Sequence, residues 1–279
     1  MKKHSILTYP IAKINLGLNV VEKRPDGYHN LQTVFYPLNL VDILEIQEVE
    51  AKPNARKDCY LKVDNMTGDP EQNLTVRAYR LLKKDFPCLP PVRILLHKGI
   101  PMQAGLGGGS SDAACTINLL NSLFDLRLNT KKQIQYASQL GADCAFFVRF
   151  QPCYAEGIGD KMRLINLSLT KWRICVVWPG IPVSTKEAFS LIHPHYPKVC
   201  PKDAVKRPIE TWRDTLVNDF EESVFALHPE LAAIKDRLYQ LGAVYASMSG
   251  SGSALYGIFK ELPKNFSEHF PGMFAYCAF

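Results

Sequence analysis

The chain has 279 residues, of which 47% are hydrophobic and 22% are charged, and its formal net charge is +6. This composition is typical of a soluble globular protein with one large domain or two ordinary ones, and the mild positive charge suits an anionic small molecule as well as a nucleic acid. The apolar runs are far shorter than the roughly 20 residues of a membrane-spanning helix, so we expect neither a membrane protein nor a secretory signal.

The first predicted element is a strand at residues 13–21, where apolar and polar residues alternate. Its polar positions include Lys13 and Asn15, so we expect a half-buried strand. The Pro-Asp-Gly triplet that follows indicates a turn. Periodicity then predicts strands at 31–50, 92–98, 145–150 and 153–160, and helices at 72–86, 113–124 and 130–141.

The second half begins with a predicted strand at 173–178 and a short helix at 184–192. Residues 193–208 contain four prolines and an excess of basic residues, which predicts a surface loop. The remaining predicted elements are helices at 211–227 and 229–241 and strands at 244–248 and 254–259. Strands and helices are mixed without regular alternation, which indicates two α+β domains that divide near residue 160.

The eight cysteines are scattered along the chain. No two of them have Cys-x-x-Cys spacing, and none lies in a Cys/His cluster with the spacing of zinc ligands. We therefore expect a reducing, cytoplasmic setting.

Residues 101–111, which we call the glycine loop, read PMQAGLGGGSS and join a predicted strand to a predicted helix. A flexible linker would have polar filler on both sides, whereas three good N-cap residues follow these glycines directly: Ser110, Ser111 and Asp112. Glycines let backbone N–H groups point at one centre, and a helix N-terminus adds unsatisfied donors. The glycine loop therefore predicts a phosphate site, although it matches neither the Walker nor the dinucleotide motif.

Three segments resemble the motifs of the GHMP kinase superfamily, in the family's order and spacing. They are PIAKINLGL (10–18), PMQAGLGGGSSDAA (101–114) and SMSGSGSALYGIF (247–259). The resemblance implies a two-domain GHMP kinase fold of the α+β class. Residues 1–160 would form an ATP-binding half similar to ribosomal protein S5 domain 2, and residues 161–279 a ferredoxin-like, substrate-side half. It also implies ATP and Mg²⁺ as cofactors.

The segment KRPDGYHNLQTVFYPLNLVD (23–42) is similar to one branch of that superfamily, and so are QNLTVRAYRLL, AEGIGD and WPGIPVSTKEAF. That branch implies an ATP-dependent kinase that phosphorylates the 2-hydroxyl of a cytidine diphosphate-linked methylerythritol. This small-molecule substrate belongs to the non-mevalonate route to isoprenoid precursors. We expect a cytoplasmic monomer or homodimer with no nucleic-acid or membrane partner.

The resemblance assigns roles to individual residues. Lys13 would neutralise charge near the substrate hydroxyl, and Asp143 would be the catalytic base or orient that hydroxyl. On pattern alone, Lys13 would be interpreted as a solvated lysine on a strand, and Asp143 as an aspartate in a turn. The nucleotide would be bound by Pro101, Met102, Gln103, Ala104, Gly105, Leu106, Gly107, Gly108, Gly109, Ser110, Ser111, Lys98 and Asn73. The acceptor would be bound by Asn15, Tyr28, His29, Thr185, Phe189, Gly250 and Gly252.

Within the acceptor group, Tyr28 and Phe189 would sandwich the cytosine ring, and His29 would hydrogen-bond to the edge of the base. Ser111 is the candidate ligand of Mg²⁺. Two positions depart from the family pattern. The family's Gly-Ala-Asp-Val-Pro reads Gly-Ala-Asp-Cys-Ala at 141–145, which could loosen the turn, and Gln103 stands where the family usually has glycine. Gln103 is strained if its φ is positive, and otherwise its side chain can reach the nucleotide.

Rival functions remain open at this point. A sister kinase of the mevalonate or homoserine type should lack the Asp-Gly-Tyr-His element at 26–29. A nucleic-acid-binding protein with an S5-like half would need clustered basic residues, for which 193–208 is the candidate. A catalytically dead family member is disfavoured because Lys13 and Asp143 are both present.

Overall fold

The computed structural model describes residues 4–50, 57–64 and 69–278. The chain divides into two compact units, and each unit is built from several separate segments. The first comprises residues 1–12, 40–100 and 107–150, and the second comprises residues 13–39, 101–106 and 151–279. This division differs from a simple split along the chain, and the assignment of 1–160 and 161–279 to two domains stays a prediction.

In chain order the strands are β1 Ser5–Thr8, β2 Ile11–Lys23, β3 His29–Val41, β4 Ile43–Glu48, β5 Cys59–Val63, β6 Val92–His97, β7 Cys153–Glu156, β8 Lys161–Leu164, β9 Arg173–Trp178, β10 Tyr245–Met248, β11 Leu255–Phe259 and β12 Phe274–Ala278. The helices are α1 Leu74–Asp85, α2 Gly108–Leu123, α3 Thr130–Leu140, α4 Thr185–Ala188, α5 Pro201–Ala204, α6 Trp212–Thr215, α7 Phe220–Leu227 and α8 Pro229–Gln240. In the described part of the chain, no helix has both the length and the apolar character to cross a membrane.

The first unit contains a four-stranded sheet in the order β1-β4-β6-β5 and the helices α1, α2 and α3. Strand β4 is antiparallel to both of its neighbours, and β5 is parallel to β6. The three helices pack on one another, and α2 also contacts β1 and β4. Strand β6 buries Val92, Ile94 and Leu96 on one face, and its end leads the chain towards the glycine loop.

The second unit contains two four-stranded sheets, in the orders β10-β11-β9-β12 and β2-β3-β7-β8. Helix α8 packs against β10 and β11, and α7 packs against α8. An apolar cluster of this unit includes Leu18, Val177, Phe220, Leu231 and Leu255. This cluster fixes the strands that precede and follow the loop of the third motif.

Strand β2 forms where the alternation predicts a strand, but the expectation that it is half-buried is wrong. Both of its faces are buried, and the exposed fractions of Lys13 and Asn15 are 3% and 1%. The polar face can be buried because its side chains are hydrogen-bonded. Asn15 Nδ2 donates to Thr33 Oγ1 over 2.9 Å, and Thr33 Oγ1 donates to the Gly17 carbonyl oxygen over 2.5 Å.

The helix predicted at 211–227 is interrupted between α6 and α7. The residues of the break pair with β2: Leu18 N donates to Val217 O over 2.9 Å, and Asp219 N donates to Leu18 O over 2.8 Å. This pairing overrides the helical periodicity. The local signal was the pair Asn218-Asp219, because such side chains compete for backbone hydrogen bonds inside a helix.

Two other predictions need correction, and two features of the second unit were not predicted. Residues 145–150, expected as a strand, lie in the 3₁₀ helix Ala142–Val148 and the turn after it. A short apolar run does not distinguish a strand from a buried helical turn. The loop predicted at 193–208 contains α5, which begins with proline and buries Pro201 and Ala204. Strand β12 was not predicted, and neither was the disulfide between Cys277 and its cross-strand neighbour Cys175, 102 residues away in sequence.

Candidate active site

Lys13 lies on the buried polar face of β2, in the second unit. Its Nζ donates to Asn15 Oδ1 over 2.6 Å and to the carbonyl oxygen of Gly105 over 2.9 Å. Its backbone N–H donates to Leu106 O over 2.9 Å. The first motif therefore holds residues 101–106, the first half of the glycine loop, through both its main chain and its lysine.

Gly105 is required by its backbone and by its surroundings. Its φ is +77°, and a Cβ atom there would collide with the carbonyl group of Ser249. Ser249 Oγ donates to the Gly105 carbonyl oxygen over 3.0 Å, and Ala254 N donates to Ala104 O over 3.0 Å. The third motif therefore packs directly against the first half of the glycine loop.

Gln103 has a φ of +53°, in the left-handed region, and its side chain is exposed. A residue with a Cβ atom is strained there by roughly 1–2 kcal/mol. The question raised by the sequence is therefore answered: the backbone at position 103 is one that favours the family's glycine.

We expect Gln103→Gly to be more stable than Gln103→Ala by about 0.5–1 kcal/mol. Both variants lose the amide, but only glycine relieves the left-handed strain, and the entropy it adds to the unfolded chain offsets part of that gain. Urea unfolding of the two variants measures this difference. An alanine variant as stable as the glycine variant would contradict the strain.

The second half of the glycine loop, residues 107–111, belongs to the first unit and starts α2. Gly107 is the N-cap residue, and no side chain of the described residues caps this helix. The N–H groups of the first turn, at the positive end of the helix dipole, are therefore available to a ligand. A Cβ atom at Gly108 would lie 3.2 Å from Lys98 Nζ, so the loop packs closely on the end of β6. This half has the donors that a phosphate needs.

Lys98, predicted to lie near the nucleotide, is held by two carboxylates of the first unit. Its ammonium forms ion pairs with Asp42 and with Asp112, the latter over 2.7 Å. Asp42 Oδ1 also accepts from the N–H groups of Gly99 and Ile100 over 2.7 and 2.8 Å. Lys98 thus ties the segment after β6 to the N-terminal part of α2. Its part in nucleotide binding stays a prediction.

The pKa values of this cluster follow from its burial. Burial raises the pKa of the Asp112 carboxyl to about 7 against the opposing effect of Lys98, and Asp42 adds to the rise. Burial lowers the pKa of Lys98, but the two carboxylates outweigh it and raise that pKa above its ordinary value. Ser111 Oγ and Asp112 Oδ1 are buried without a hydrogen-bond partner among the described residues.

Asn73, the other residue predicted near the nucleotide, caps α1. Its Oδ1 accepts from the backbone N–H and the hydroxyl of Thr75, over 2.9 and 2.8 Å. This cap explains why the helix begins at Leu74, and a contact with nucleotide stays a prediction.

Asp143 lies in the first turn of the 3₁₀ helix Ala142–Val148, directly after α3 and Gly141, and is half-buried. Cys144, at the family's valine position, is fully buried, and Cys144 N donates to Gly141 O over 3.1 Å. Burial raises the pKa of the Cys144 thiol to about 11. The turn that carries Asp143 is therefore held by a buried thiol and a main-chain bond, without the family's proline.

The residues predicted to hold the cytosine include a pair that is already stacked. The rings of His29 and Phe189 lie 4.5 Å apart with 21° between their planes, and Phe220 packs edge-on against Phe189. Tyr28 is 62% exposed. Burial, helped by the charge of Lys23, lowers the pKa of His29, which favours the neutral form of its ring. His29 thus covers one face of Phe189 in this structure.

The remaining acceptor residues are spread over the second unit. Thr185 is the first residue of α4, whose start is fixed by a capping box between Ser184 and Glu187. Gly250 lies beside Lys13, because a Cβ atom there would be 3.3 Å from Lys13 Nζ. Gly252 lies in the same loop, after Ser249.

Sequence reasoning missed four polar residues that shape this site. Asp42 and Asp112 were not recognised as the partners of Lys98, since nothing in local spacing links them. Ser249 stood in the third motif without an assigned role. Asn218, fully buried and bonded to that loop, fell inside a predicted helix; its poor fit to a helix interior was the available signal.

Known protein families and solved structures are similar to this chain. Residues 73–149 match the family described as GHMP kinases N terminal domain, and residues 202–272 match GHMP kinases C terminal. A solved homoserine kinase from Cytophaga hutchinsonii has the same fold, with a TM-score of 0.75 at 14% identity over 100% of this chain and 96% of that one. The fold and the two matches define a GHMP kinase, and the predicted α+β GHMP kinase fold is confirmed.

Relatives with higher sequence identity to this chain show which family of GHMP kinases it belongs to. A 4-diphosphocytidyl-2-C-methyl-D-erythritol kinase of Bacteroides thetaiotaomicron is 54% identical over 91% of this chain and 92% of its own. One of Bacteroides fragilis is 48% identical, over 97% and 98%. A crystal structure of 4-(cytidine 5'-diphospho)-2C-methyl-D-erythritol kinase has a TM-score of 0.82 at 30% identity, covering 98% of both chains. This chain belongs to the 4-diphosphocytidyl-2-C-methyl-D-erythritol kinase family, as the sequence resemblance predicts.

Proposed function

We propose that this chain transfers the γ-phosphoryl group of ATP to the 2-hydroxyl of 4-(cytidine 5'-diphospho)-2-C-methyl-D-erythritol, in the non-mevalonate route to isoprenoid precursors. The observation that carries the proposal is the meeting of three distant motifs at one carbonyl group. Lys13 Nζ and Ser249 Oγ both donate to the carbonyl oxygen of Gly105. The relatives named for this kinase support the choice of acceptor.

Phosphoryl transfer needs bound phosphates, neutralised charge and an aligned nucleophile. In the proposal, the N–H groups at the start of α2 bind phosphate oxygens. Lys13 stabilises the charge that develops near the attacking hydroxyl, and Asp143 accepts the proton of that hydroxyl or orients it. Lys98 and Asn73 fix the segments that flank the adenine.

The acceptor's cytosine is held by the aromatic residues of the second unit. Base–aromatic stacking is worth roughly 1–3 kcal/mol per base in other systems. Because His29 covers one face of Phe189, the cytosine either displaces that ring or uses the exposed Tyr28 as its first platform. A neutral imidazole has one donor and one acceptor nitrogen, which suits hydrogen bonds to the edge of a base. Asn15, Thr185, Gly250 and Gly252 complete the acceptor site in the proposal.

Mg²⁺ is part of the proposal because ATP-dependent kinases use it. The described residues contain no group of three or more His, Cys, Asp or Glu side chains that could hold a metal ion. The buried Ser111 hydroxyl, which has no hydrogen-bond partner among them, fits an ion that takes one or two protein ligands and otherwise water and substrate phosphates. When bound, Mg²⁺ neutralises charge on the β- and γ-phosphate oxygens.

The proposal also covers setting and organisation. It includes an ATP-binding half at 1–160 and a substrate-side half at 161–279, a cytoplasmic location, a monomeric or homodimeric state, and no nucleic-acid partner. The two halves rest on the family resemblance, and the cytoplasmic location rests on the scattered cysteines, of which the structure joins Cys175 to Cys277.

An ADP-release assay with three acceptors tests the function. We expect acceptor-dependent ADP release with 4-(cytidine 5'-diphospho)-2-C-methyl-D-erythritol and none with mevalonate or homoserine, because only the first offers a base to the aromatic residues. A reaction without acceptor measures background ATP hydrolysis. Release with mevalonate or homoserine and not with the cytidylyl compound would overturn the choice of substrate.

A further inference from the structure

Asn218 is fully buried in the break between α6 and α7, and its amide group bonds to three main-chain groups. Its Nδ2 donates to the carbonyl oxygens of Met248 and Gly250 over 2.8 and 2.9 Å, and its Oδ1 accepts from Phe220 N over 3.1 Å. The two carbonyl groups flank Ser249 in the chain. The Asn218 amide therefore fixes the main chain on both sides of Ser249.

Ser249 is also fully buried, and its own main-chain groups are bonded. Ser249 N donates to Ala254 O over 2.9 Å, and Gly252 N donates to Ser249 O over 3.0 Å. With this backbone fixed, the Ser249 hydroxyl donates to the Gly105 carbonyl oxygen over 3.0 Å. A carbonyl group held by such a hydrogen bond has less freedom to turn.

The Gly105 carbonyl has a second lone pair, to which Lys13 Nζ donates over 2.9 Å. Lys13 Nζ also donates to Asn15 Oδ1 over 2.6 Å. The backbone of Asn15 is fixed in turn, because Tyr256 Oη donates to Asn15 O over 2.7 Å. These two acceptors thus help to fix the Lys13 ammonium, and one of them is held through Ser249.

We infer that Asn218 and Ser249 are positioning residues for phosphoryl transfer. Asn218 fixes the main chain around Ser249, Ser249 fixes the carbonyl group of Gly105, and that carbonyl aims the Lys13 ammonium. The inference rests on the proposed function for the reaction in which Lys13 takes part. The hydrogen bonds themselves do not depend on which acceptor is used.

Two buried serines of the same segment provide a matched test. Ser249→Ala removes the bond to Gly105, whereas Ser247→Ala removes a bond of 2.9 Å to Glu221 Oε1 instead. We expect Ser249→Ala to lower kcat about tenfold, the equivalent of one hydrogen bond, with KM for ATP and acceptor unchanged. Ser247→Ala should keep kcat near that of wild type. Equal loss of kcat in both variants would overturn the inference.

A double-mutant cycle tests whether the two residues act in series. Asn218→Asp keeps the shape and the acceptor for Phe220 N, but a carboxylate cannot donate to the carbonyl groups of Met248 and Gly250. We expect the kcat of the Asn218→Asp/Ser249→Ala variant to be no lower than that of the less active single variant, because both residues act through Gly105. If the fold-loss of kcat in the double variant equalled the product of the two single fold-losses, the two residues would act independently, which contradicts the inference.

An NMR readout separates this inference from the proposed function. The ¹⁵Nζ signal of Lys13, assigned by its disappearance in Lys13→Arg, should shift in Ser249→Ala and stay in place in Ser247→Ala. If the signal shifts in Ser249→Ala but the wild type releases no ADP with any acceptor, the proposed function is overturned and the positioning of Lys13 by Ser249 stands. An unmoved signal in an active Ser249→Ala variant would overturn the positioning.

Discussion

Asp143→Asn is expected to lower kcat by about 10²–10⁴-fold, the range that acid–base groups contribute to enzyme reactions. Asparagine has the size of aspartate but lacks a carboxylate that can accept the proton of the attacking hydroxyl. Asp143 is half-buried in the first turn of a 3₁₀ helix, so the isosteric change should leave the fold intact. ADP release at saturating ATP and acceptor measures kcat, and circular dichroism checks the fold.

Asp125→Asn is the matched control for this prediction. Asp125 is an exposed carboxylate of the same unit, and its ion pair with Arg127 spans 3.2 Å. Exposed ion pairs contribute little, so the control should keep the stability and the turnover of wild type. If the kcat of Asp143→Asn stayed within about tenfold of that of wild type, Asp143 would not be the catalytic base.

The local features of the site could be predicted from the sequence because each depends on a few neighbouring residues. Strand β2 follows from alternation, and the body of α2 follows from the helix-forming residues after the glycines. The start of α2 was predicted wrongly, because the helix begins at Gly108 and not at residue 113, and its N-cap residue is Gly107. A left-handed backbone at position 103 could be suspected from the sequence, because the family usually has glycine there, and the structure shows it. The identities of β2 and α2 were therefore accessible from the sequence, whereas residues 145–150 were wrongly predicted as a strand and β12 was not predicted.

Long-range pairing was not accessible in the same way. Gly105 cannot carry a side chain because of Ser249, which lies 144 residues later in the chain. Lys98 pairs with Asp42, 56 residues earlier. Periodicity shows which face of an element is apolar, but it does not show which distant residues pack against the other face. For this reason the burial of the polar face of β2 was not predicted. The polar network around Lys13 could be read only after the strands were paired.

Lys98→Met is expected to lower the free energy of unfolding by about 3–5 kcal/mol, the usual result of removing one partner of a buried ion pair. Methionine fits the space of the lysine stem but leaves Asp42 and Asp112 buried without their cation. Urea unfolding at neutral pH measures the loss. Lys206→Met is the control, because the Lys206 pair with Asp203 is exposed and should contribute less than about 1 kcal/mol.

The loss in Lys98→Met should also grow with pH. The pKa of Asp112 is about 7 in the wild type, and removing the ammonium that lowers it raises this pKa further. A carboxyl with a higher pKa in the folded than in the unfolded protein binds a proton preferentially when folded, so stability falls as the pH rises from about 4 towards the folded pKa. The difference from wild type should therefore be larger at about pH 8 than at about pH 5.5. An equal loss at both values would show that the variant suffers from altered packing and not from uncompensated carboxylates.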